Sequence, residues 1–211
     1  MPAKANLKLV APRQIKRAVP KRQTNLAYRK RGEHITPNEM EKLIEAAKSN
    51  RNGLRDSTMI SMTYRHGLRA SEITSMEWTQ IDWDQAELSL VRAKKGSNAP
   101  HPIEGDEMRA LRKLQREQEP KSKFVFVSEL GSPMTTDSFN WLVKRAGIKA
   151  KLPVRIHAHM IRHAAGFLMA NNGVDTRTIQ SYLGHKSITS TAIYTELAAG
   201  RFKSLKGLWS K

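Results

Sequence analysis

Histidine and arginine lie three positions apart in the segment His159-Met160-Ile161-Arg162-His163. Side chains at that spacing share one face of a helix, so His159 and Arg162 would stand side by side there. An imidazole exchanges protons near neutral pH, and a guanidinium is a permanent cation whose donors fit phosphate oxygens. The pair therefore places a group that can exchange protons beside a permanent positive charge.

The same segment has a second interpretation, which is a metal site. His157, His159 and His163 lie close together, and the last two are four residues apart. A zinc-protease motif also needs a nearby acidic residue, which this segment lacks, and the chain contains no cysteine. We therefore expect no metal ion, and His157 and His163 are also candidates for packed, hydrogen-bonded histidines.

Three more residues could contribute to such a site. Arg69 follows a predicted turn at Gly67 and leads into a helix, so its donors could hold two oxygens of one phosphate. Taken alone, an arginine there is also typical of a structural salt bridge. His185 follows a predicted helix end, and Tyr194 comes nine residues later. A lone tyrosine on an apolar helix is usually a core residue, so the meaning of Tyr194 depends on its neighbours.

Helices must position these side chains. The segment Thr36-Pro37-Asn38-Glu39 combines a capping residue, a proline suited to the first helical position and a glutamate that completes a capping box. Hydrophobic spacing predicts the other helices over Leu54–Tyr64, from about Ala70, and over Asp106–Glu119, Thr136–Ala146, His159–Asn172, Thr176–Leu183 and Ser190–Leu197.

Short strands occupy the middle of the chain. They are predicted over Gln80–Asp84, Glu87–Arg92 and around His101–Ile103, with a turn over Lys94–Asn98 before the third. Phe124–Val127 is predicted as an isolated apolar strand. The predicted fold class is therefore mainly α with a small antiparallel β-sheet, an α+β arrangement.

Charge indicates the class of partner. Lysine and arginine number 37 against 19 acidic residues, and the net charge of +18 attracts polyanions. Composition alone fits a solubilising charge excess, or a ribosomal or membrane-surface protein, as well as specific DNA binding. The stretch from Met1 to Arg31 has ten basic residues and no acidic one, which predicts a flexible basic arm over residues 1–33. The lack of cysteine and of a long apolar run predicts a cytoplasmic protein that does not enter a membrane.

Taken in order, the motifs resemble the signature of the tyrosine recombinase, or phage integrase, family. They are Gly67-Leu68-Arg69-x-Ser71-Glu72, Lys95-Gly96 in a hairpin, His159-x-x-Arg162-His163, Leu183-Gly184-His185 and Tyr194. The short recombinases that invert fimbrial promoter segments are similar in particular, since they share Ile179-Gln180-x-Tyr182-Leu183-Gly184-His185. The resemblance implies a catalytic domain over residues 34–198, mostly helical with a small sheet, that wraps duplex DNA.

The resemblance also implies how a phosphate would be held and how the leaving group would depart. Arg69 and Arg162 would bind the scissile phosphate, and His185 would donate to it as well. Lys95, at the tip of the hairpin, would protonate the departing 5′ oxygen. Lys94 is the adjacent alternative, and strand alternation points the two lysines to opposite faces. We choose Lys95, which precedes Gly96, so that Lys94 would be a phosphate contact or exposed to solvent.

The same resemblance makes Tyr194 the nucleophile, which becomes joined to the 3′ phosphate while His159 helps to accept its proton. A phenol with a pKa of about 10 is a weak nucleophile at neutral pH, so it needs a base or nearby cations. The covalent phosphotyrosine conserves the energy of the broken bond. We therefore expect neither a nucleotide cofactor nor a metal.

The expected partner is double-stranded DNA, bound by a homo-tetramer on paired sites in the nucleoid, with accessory DNA-bending proteins as further candidates. Residues 199–211 form an apolar tail that either docks on a neighbouring protomer or packs on its own domain. The basic arm either wraps DNA or is a leader without a specific role. Two other functions remain as alternatives: a non-catalytic architectural DNA-binding protein, and a type IB topoisomerase that relaxes supercoils.

Overall fold

The computed structural model describes residues 34–90, 100–119 and 121–198. Within these ranges the chain forms eight α-helices and three short strands. The helices are α1 (Pro37–Lys48), α2 (Gly53–Arg65), α3 (Ala70–Thr74), α4 (Gly105–Glu117), α5 (Thr136–Lys149), α6 (Ala158–Asn171), α7 (Thr176–Leu183) and α8 (Thr189–Leu197). The strands are β1 (Ile81–Asp82), β2 (Glu87–Leu88) and β3 (His101–Pro102). The predicted fold class is confirmed.

Local sequence signals set the ends of the first two helices. The Thr36 hydroxyl accepts a hydrogen bond from the Glu39 amide at 3.3 Å, and Glu39 Oε2 accepts one from the Thr36 amide at 2.9 Å. This capping box confirms the predicted start of α1. After α2, Gly67 has a left-handed φ of 58°, and a Cβ there would clash with Leu183. Glycine therefore lets the loop before Arg69 pack against the end of α7.

The three strands pair antiparallel in the order β1-β2-β3. Ile81 lies opposite Leu88, and Leu88 lies opposite His101. Each strand is two residues long, shorter than predicted. The turn predicted over Lys94–Asn98, the basic arm over residues 1–33 and the tail over residues 199–211 lie outside the described residues.

The prediction of a strand over Phe124–Val127 is wrong. Phe124 and Val127 each form one isolated bridge, to Glu77 and Pro133 respectively. The middle of this run is nevertheless buried, with Val125 2% and Phe126 0% exposed. A short apolar run predicts burial, but a strand also needs a partner with continuous pairing, which these two bridges do not supply.

Buried apolar side chains form two clusters. The main core is built from α1 to α6 and the sheet, and its largest side chains include Met40, Leu43, Met59, Ile60, Phe126 and Phe139. The small core consists of the buried residues Ala170, Ile179, Leu183 and Tyr194, from α6, α7 and α8. Since α6 also contributes Met160, Ile161 and Ala164 to the main core, this helix joins the two. None of the described helices combines the length and apolar character that crossing a membrane requires.

Candidate active site

The guanidinium of Arg162, on α6, is fixed inside the protein, and the residue is 2% exposed. Its Nη1 donates a hydrogen bond to the Gly67 carbonyl oxygen, and its Nη2 donates one to the Leu183 carbonyl oxygen, both at 2.5 Å. The Glu72 carboxylate lies 3.8 Å from Nη1. A buried cation is tolerated only when it is paired and hydrogen-bonded, and these three groups supply that compensation.

Glu72, on α3, links Arg162 to Arg69. Arg69 Nη1 donates to Glu72 Oε1 at 2.6 Å, and the Arg69 amide donates to Glu72 Oε2 at 2.8 Å. Arg69 Nη2 also donates to the Gly184 carbonyl oxygen at 3.1 Å. The two arginines therefore share one buried carboxylate. The side chain of Arg69 keeps 24% exposure, so a phosphate arriving from solvent can reach it.

His185 follows Gly184, which caps the end of α7 in a left-handed conformation with φ 63°. The His185 Nδ1 atom lies 2.8 Å from the hydroxyl oxygen of Thr191, a residue with no exposed surface. A hydrogen bond at one ring nitrogen fixes the orientation of an imidazole. Thr191 therefore orients His185, and it lies one helical turn before Tyr194 on α8.

Tyr194 is 1% exposed and belongs to the small core. Its hydroxyl lies 2.8 Å from Nδ1 of His163, on α6. The edge of the Phe167 ring packs against it with centroids 5.1 Å apart, and the His185 ring stacks on it at 6.1 Å. Tyr194 is thus a core residue whose hydroxyl is hydrogen-bonded. It is also a neighbour of His185, which lies next to the two arginines.

The electrostatic environment keeps His163 neutral. Burial of the ring lowers the pKa of His163 to about 3, and nearby His159, Arg162, His185 and His157 oppose its protonation further. At neutral pH the ring therefore carries one proton. In the tautomer protonated at Nε2, the Nδ1 atom accepts the phenolic hydrogen bond.

His159 lies directly behind His163, with ring centroids 4.3 Å apart and the rings nearly perpendicular. His159 is exposed to solvent, yet partial desolvation and the neighbouring Arg162 lower its pKa. The sequence predicts that His159 helps to accept the phenolic proton, and this role stays a prediction. The hydroxyl of Tyr194 forms a hydrogen bond with His163.

A glycine makes room for the nucleophile candidate. A Cβ at Gly166 would lie 2.7 Å from the ring of Tyr194, so only glycine fits at this turn of α6. The contacts of Glu72, His163, Gly166 and Thr191 were not predicted from the sequence. One signal was available, because Gly166 and Phe167 follow His163 by three and four residues and so share its helix face.

The structure brings five of the six predicted site residues together: Arg69, His159, Arg162, His185 and Tyr194. The sixth, Lys95, lies outside the described residues, as does its alternative Lys94. Among residues 34–90, 100–119 and 121–198, no three His, Asp or Glu side chains are placed so that they could hold a metal ion. The arrangement can bind an anion through two guanidiniums and His185, next to a phenol that is hydrogen-bonded to a neutral imidazole.

Comparison with known proteins gives concordant matches. The family model described as "Phage integrase family" matches residues 33–201. The Type 1 fimbriae regulatory protein FimB of Escherichia coli (strain K12) is 37% identical over 191 residues, covering 89% of this chain and 94% of that protein. Tyrosine recombinase XerD of Ralstonia nicotianae is 31% identical over 159 residues, covering 72% of this chain but 52% of that protein. The XerH site-specific recombinase, solved bound to a palindromic difH substrate, matches in fold with a TM-score of 0.69, 21% identity and coverage of 88% of this chain and 55% of that chain.

Proposed function

Since the chain belongs to the phage integrase family, we propose that it is a site-specific DNA recombinase that cleaves and rejoins DNA strands through Tyr194. One observation carries the proposal: the hydrogen-bonded phenol of Tyr194 stacks on His185. The two residues before His185, Leu183 and Gly184, accept hydrogen bonds from Arg162 and Arg69 through their carbonyl oxygens. A structural tyrosine requires no such neighbours. Strand transfer through a phosphotyrosine requires all of them.

In the proposed reaction, Arg69, Arg162 and His185 hold the scissile phosphate. Negative charge builds on the phosphate oxygens as the phenol oxygen attacks phosphorus. Cationic donors that are already in place stabilise that charge without reorganisation, and the loss of one such donor typically costs about a hundredfold or more in rate. The carbonyls and the carboxylate that fix the two guanidiniums supply this preorganisation.

The covalent step exchanges one phosphate ester for another. A bond forms between the Tyr194 oxygen and phosphorus while the phenolic proton passes to a histidine of the site, and the bond from phosphorus to the 5′ oxygen breaks. Lys95 gives a proton to the departing 5′ oxygen, and the DNA is left joined to Tyr194 by its 3′ phosphate. Attack by a 5′ hydroxyl of another strand reverses the step, so no nucleotide cofactor is consumed.

Duplex DNA is the proposed partner, bound by a tetramer on paired sites. The charge of +18 supports the first part, because cationic side chains that neutralise phosphates release counterions and so strengthen binding. The matched XerH structure, which contains a DNA substrate, supports it as well. Inversion, integration and excision all follow from one chemistry, and the arrangement of the two sites decides between them.

The test is covalent trapping on nicked DNA. Duplexes from the DNA that flanks the gene, nicked near the cleavage position, release a short fragment after cleavage and so leave the protein attached. We expect a protein–DNA adduct on a denaturing gel, and we expect Tyr194→Phe to abolish it. Tyr64→Phe removes a hydroxyl from α2 instead and serves as the matched control, with adduct formation retained.

Binding is measured in parallel by gel mobility shift. Specific binding without an adduct would favour the architectural alternative over catalysis. Assays on a plasmid with one site and on a plasmid with two sites distinguish a recombinase from a topoisomerase. A recombinase exchanges strands only on the second plasmid, whereas a topoisomerase relaxes both.

A further inference from the structure

His163 contacts the atom that reacts, yet the family signature assigned it no role. Its Nδ1 lies 2.8 Å from the Tyr194 hydroxyl, a distance at which a proton can pass directly. The rival bases are placed differently. The Nδ1 atom of His185 is bonded to Thr191, and the His159 ring lies against His163.

We propose that His163 is the general base that takes the proton of Tyr194 during cleavage, and that it becomes competent only when a DNA phosphate occupies the site between the arginines. This inference rests on the proposed function. The proton moves from the phenol oxygen to His163 Nδ1 as the bond to phosphorus forms, and it returns to the phenol oxygen in the rejoining step.

Without DNA, His163 is a weak base. Burial lowers its pKa to about 3, whereas a phenol ionises at about 10, so proton transfer is opposed by about seven orders of magnitude. In the free protein His163 therefore does not take the phenolic proton to a significant extent. A nucleophile that keeps its proton does not attack other electrophiles in the absence of substrate.

A bound phosphate changes this balance. The groups that face His163 include His159 and Arg162 from α6, His157 before that helix, His185 from the loop after α7, and Tyr194 from α8. Apart from Tyr194, each of them opposes a positive charge on His163. A phosphate anion between Arg69, Arg162 and His185 cancels part of that field, and an opposite charge within a few ångströms favours the protonated imidazole. Binding of the substrate thus raises the basicity of the residue that activates the nucleophile.

The experiment measures single-turnover adduct formation on nicked duplexes across pH, with wild type, His163→Gln and His159→Gln. We expect His163→Gln to slow the reaction by about 10²- to 10⁴-fold at pH 7. Its rate should then rise about tenfold per pH unit, because only spontaneous ionisation of the phenol remains. His159→Gln should lower the rate but keep the pH profile of wild type.

If His159→Gln produces the tenfold dependence while His163→Gln keeps the wild-type profile, the base is His159 and the proposal is wrong. Failure of the proposed function is a different outcome, since wild type would then bind the duplex without forming an adduct. Thermal unfolding shows whether His163→Gln folds.

A second measurement uses the wild-type protein alone. Nitrogen-15 NMR of the histidine rings should show His163 neutral, with Nδ1 unprotonated, in the free protein down to about pH 4. Addition of an intact site-containing duplex should shift its ionisation towards neutral pH. An ionisation that DNA leaves unchanged would overturn the proposal even where the variant does not fold.

Discussion

Arg162 and Tyr194 are both almost completely buried, at 2% and 1% exposure, yet different forces hold them in place. The carbonyl oxygens of Gly67, after α2, and of Leu183, at the end of α7, fix the arginine together with the Glu72 carboxylate. The arginine lies beside a main core that draws on six helices. Tyr194 lies in a small core of four buried residues, where ring packing and a hydrogen bond to His163 hold it.

The site has two parts: a phosphate-binding half, Arg69, Arg162 and His185, and a nucleophile half, His163 and Tyr194. The two halves are supported by packing of different extent. Regions that bury few apolar side chains open more readily than the main core of the same protein. The phosphate-binding half is built as part of the main fold, whereas the nucleophile half depends on the packing of α7 and α8 against the end of α6. Changes that remove polar compensation should therefore damage the first half most, and changes in shape should damage the second.

The largest effect is expected for Glu72→Gln. This change removes the negative charge that Arg162 and Arg69 share. Breaking a buried ion pair typically lowers the free energy of unfolding by about 3–5 kcal/mol. The free energy of unfolding from urea titrations measures it. Glu45→Gln removes a carboxylate from an exposed pair with Lys48 and should cost less than about 1 kcal/mol. Equal losses in the two variants would mean that Glu72 does not support the arginines.

Gly166→Ala tests the packing around Tyr194, because it changes shape without changing charge. The added methyl would meet the Tyr194 ring at 2.7 Å, and overpacking of this kind typically costs about 1–3 kcal/mol. Because the ring must move, we also expect adduct formation to fall by about a hundredfold, as misplaced reacting groups do. Unfolding and the nicked-duplex assay measure the two effects.

Gly105→Ala is the matched control, since its methyl would find its nearest neighbour, Arg109 Nη1, at an ordinary 3.5 Å. It should leave stability and adduct formation close to wild type. If Gly166→Ala behaved in the same way, the packing around the Tyr194 ring would be less tight than the structure indicates.

The pH dependence of stability tests the burial of His163, the partner of Tyr194. The pKa of His163 is lowered to about 3 in the fold, against about 6.5 in an unfolded chain, so below pH 6.5 the unfolded state binds a proton that the folded state does not. Stability from this residue is therefore complete above pH 6.5 and is lost as the pH falls towards 3. Between pH 7 and pH 5 wild type should lose about 2 kcal/mol more than His163→Gln. Parallel losses in the two proteins would contradict the assignment.

Sequence reasoning predicted what depends on local signals. The capping box at Thr36, the break at Gly67 and the helices that carry the site follow from spacing and from residue type, and all of them are present. The site residues were recognised because their order along the chain is itself informative. Five of them lie together, although their chemical roles stay predictions until they are tested.

Contacts between elements were not predictable in the same way. Which histidine meets Tyr194 depends on the rotation and depth of α6 against α8, and a shift by one helical position exchanges one face for another. The sharing of Glu72 between two arginines depends likewise on how α3 packs near α6. The strand prediction over Phe124–Val127 failed for a related reason, since the identity of a pairing partner is not a local property.

The smallest expected effect comes from Thr191→Val, which keeps the shape of a buried side chain but removes the hydroxyl that bonds to His185. One hydrogen bond contributes about 1 kcal/mol, and a less firmly oriented His185 should slow adduct formation by about tenfold. Thr63→Val makes the identical change in the main core, where a residue equally without exposed surface donates to the Met59 carbonyl. Both variants should lose similar stability, but only Thr191→Val should lose activity, because the hydroxyl of Thr63 orients no group in the site. Equal rates in the two variants would show that packing alone positions His185 and that its hydrogen bond to Thr191 contributes nothing to the reaction.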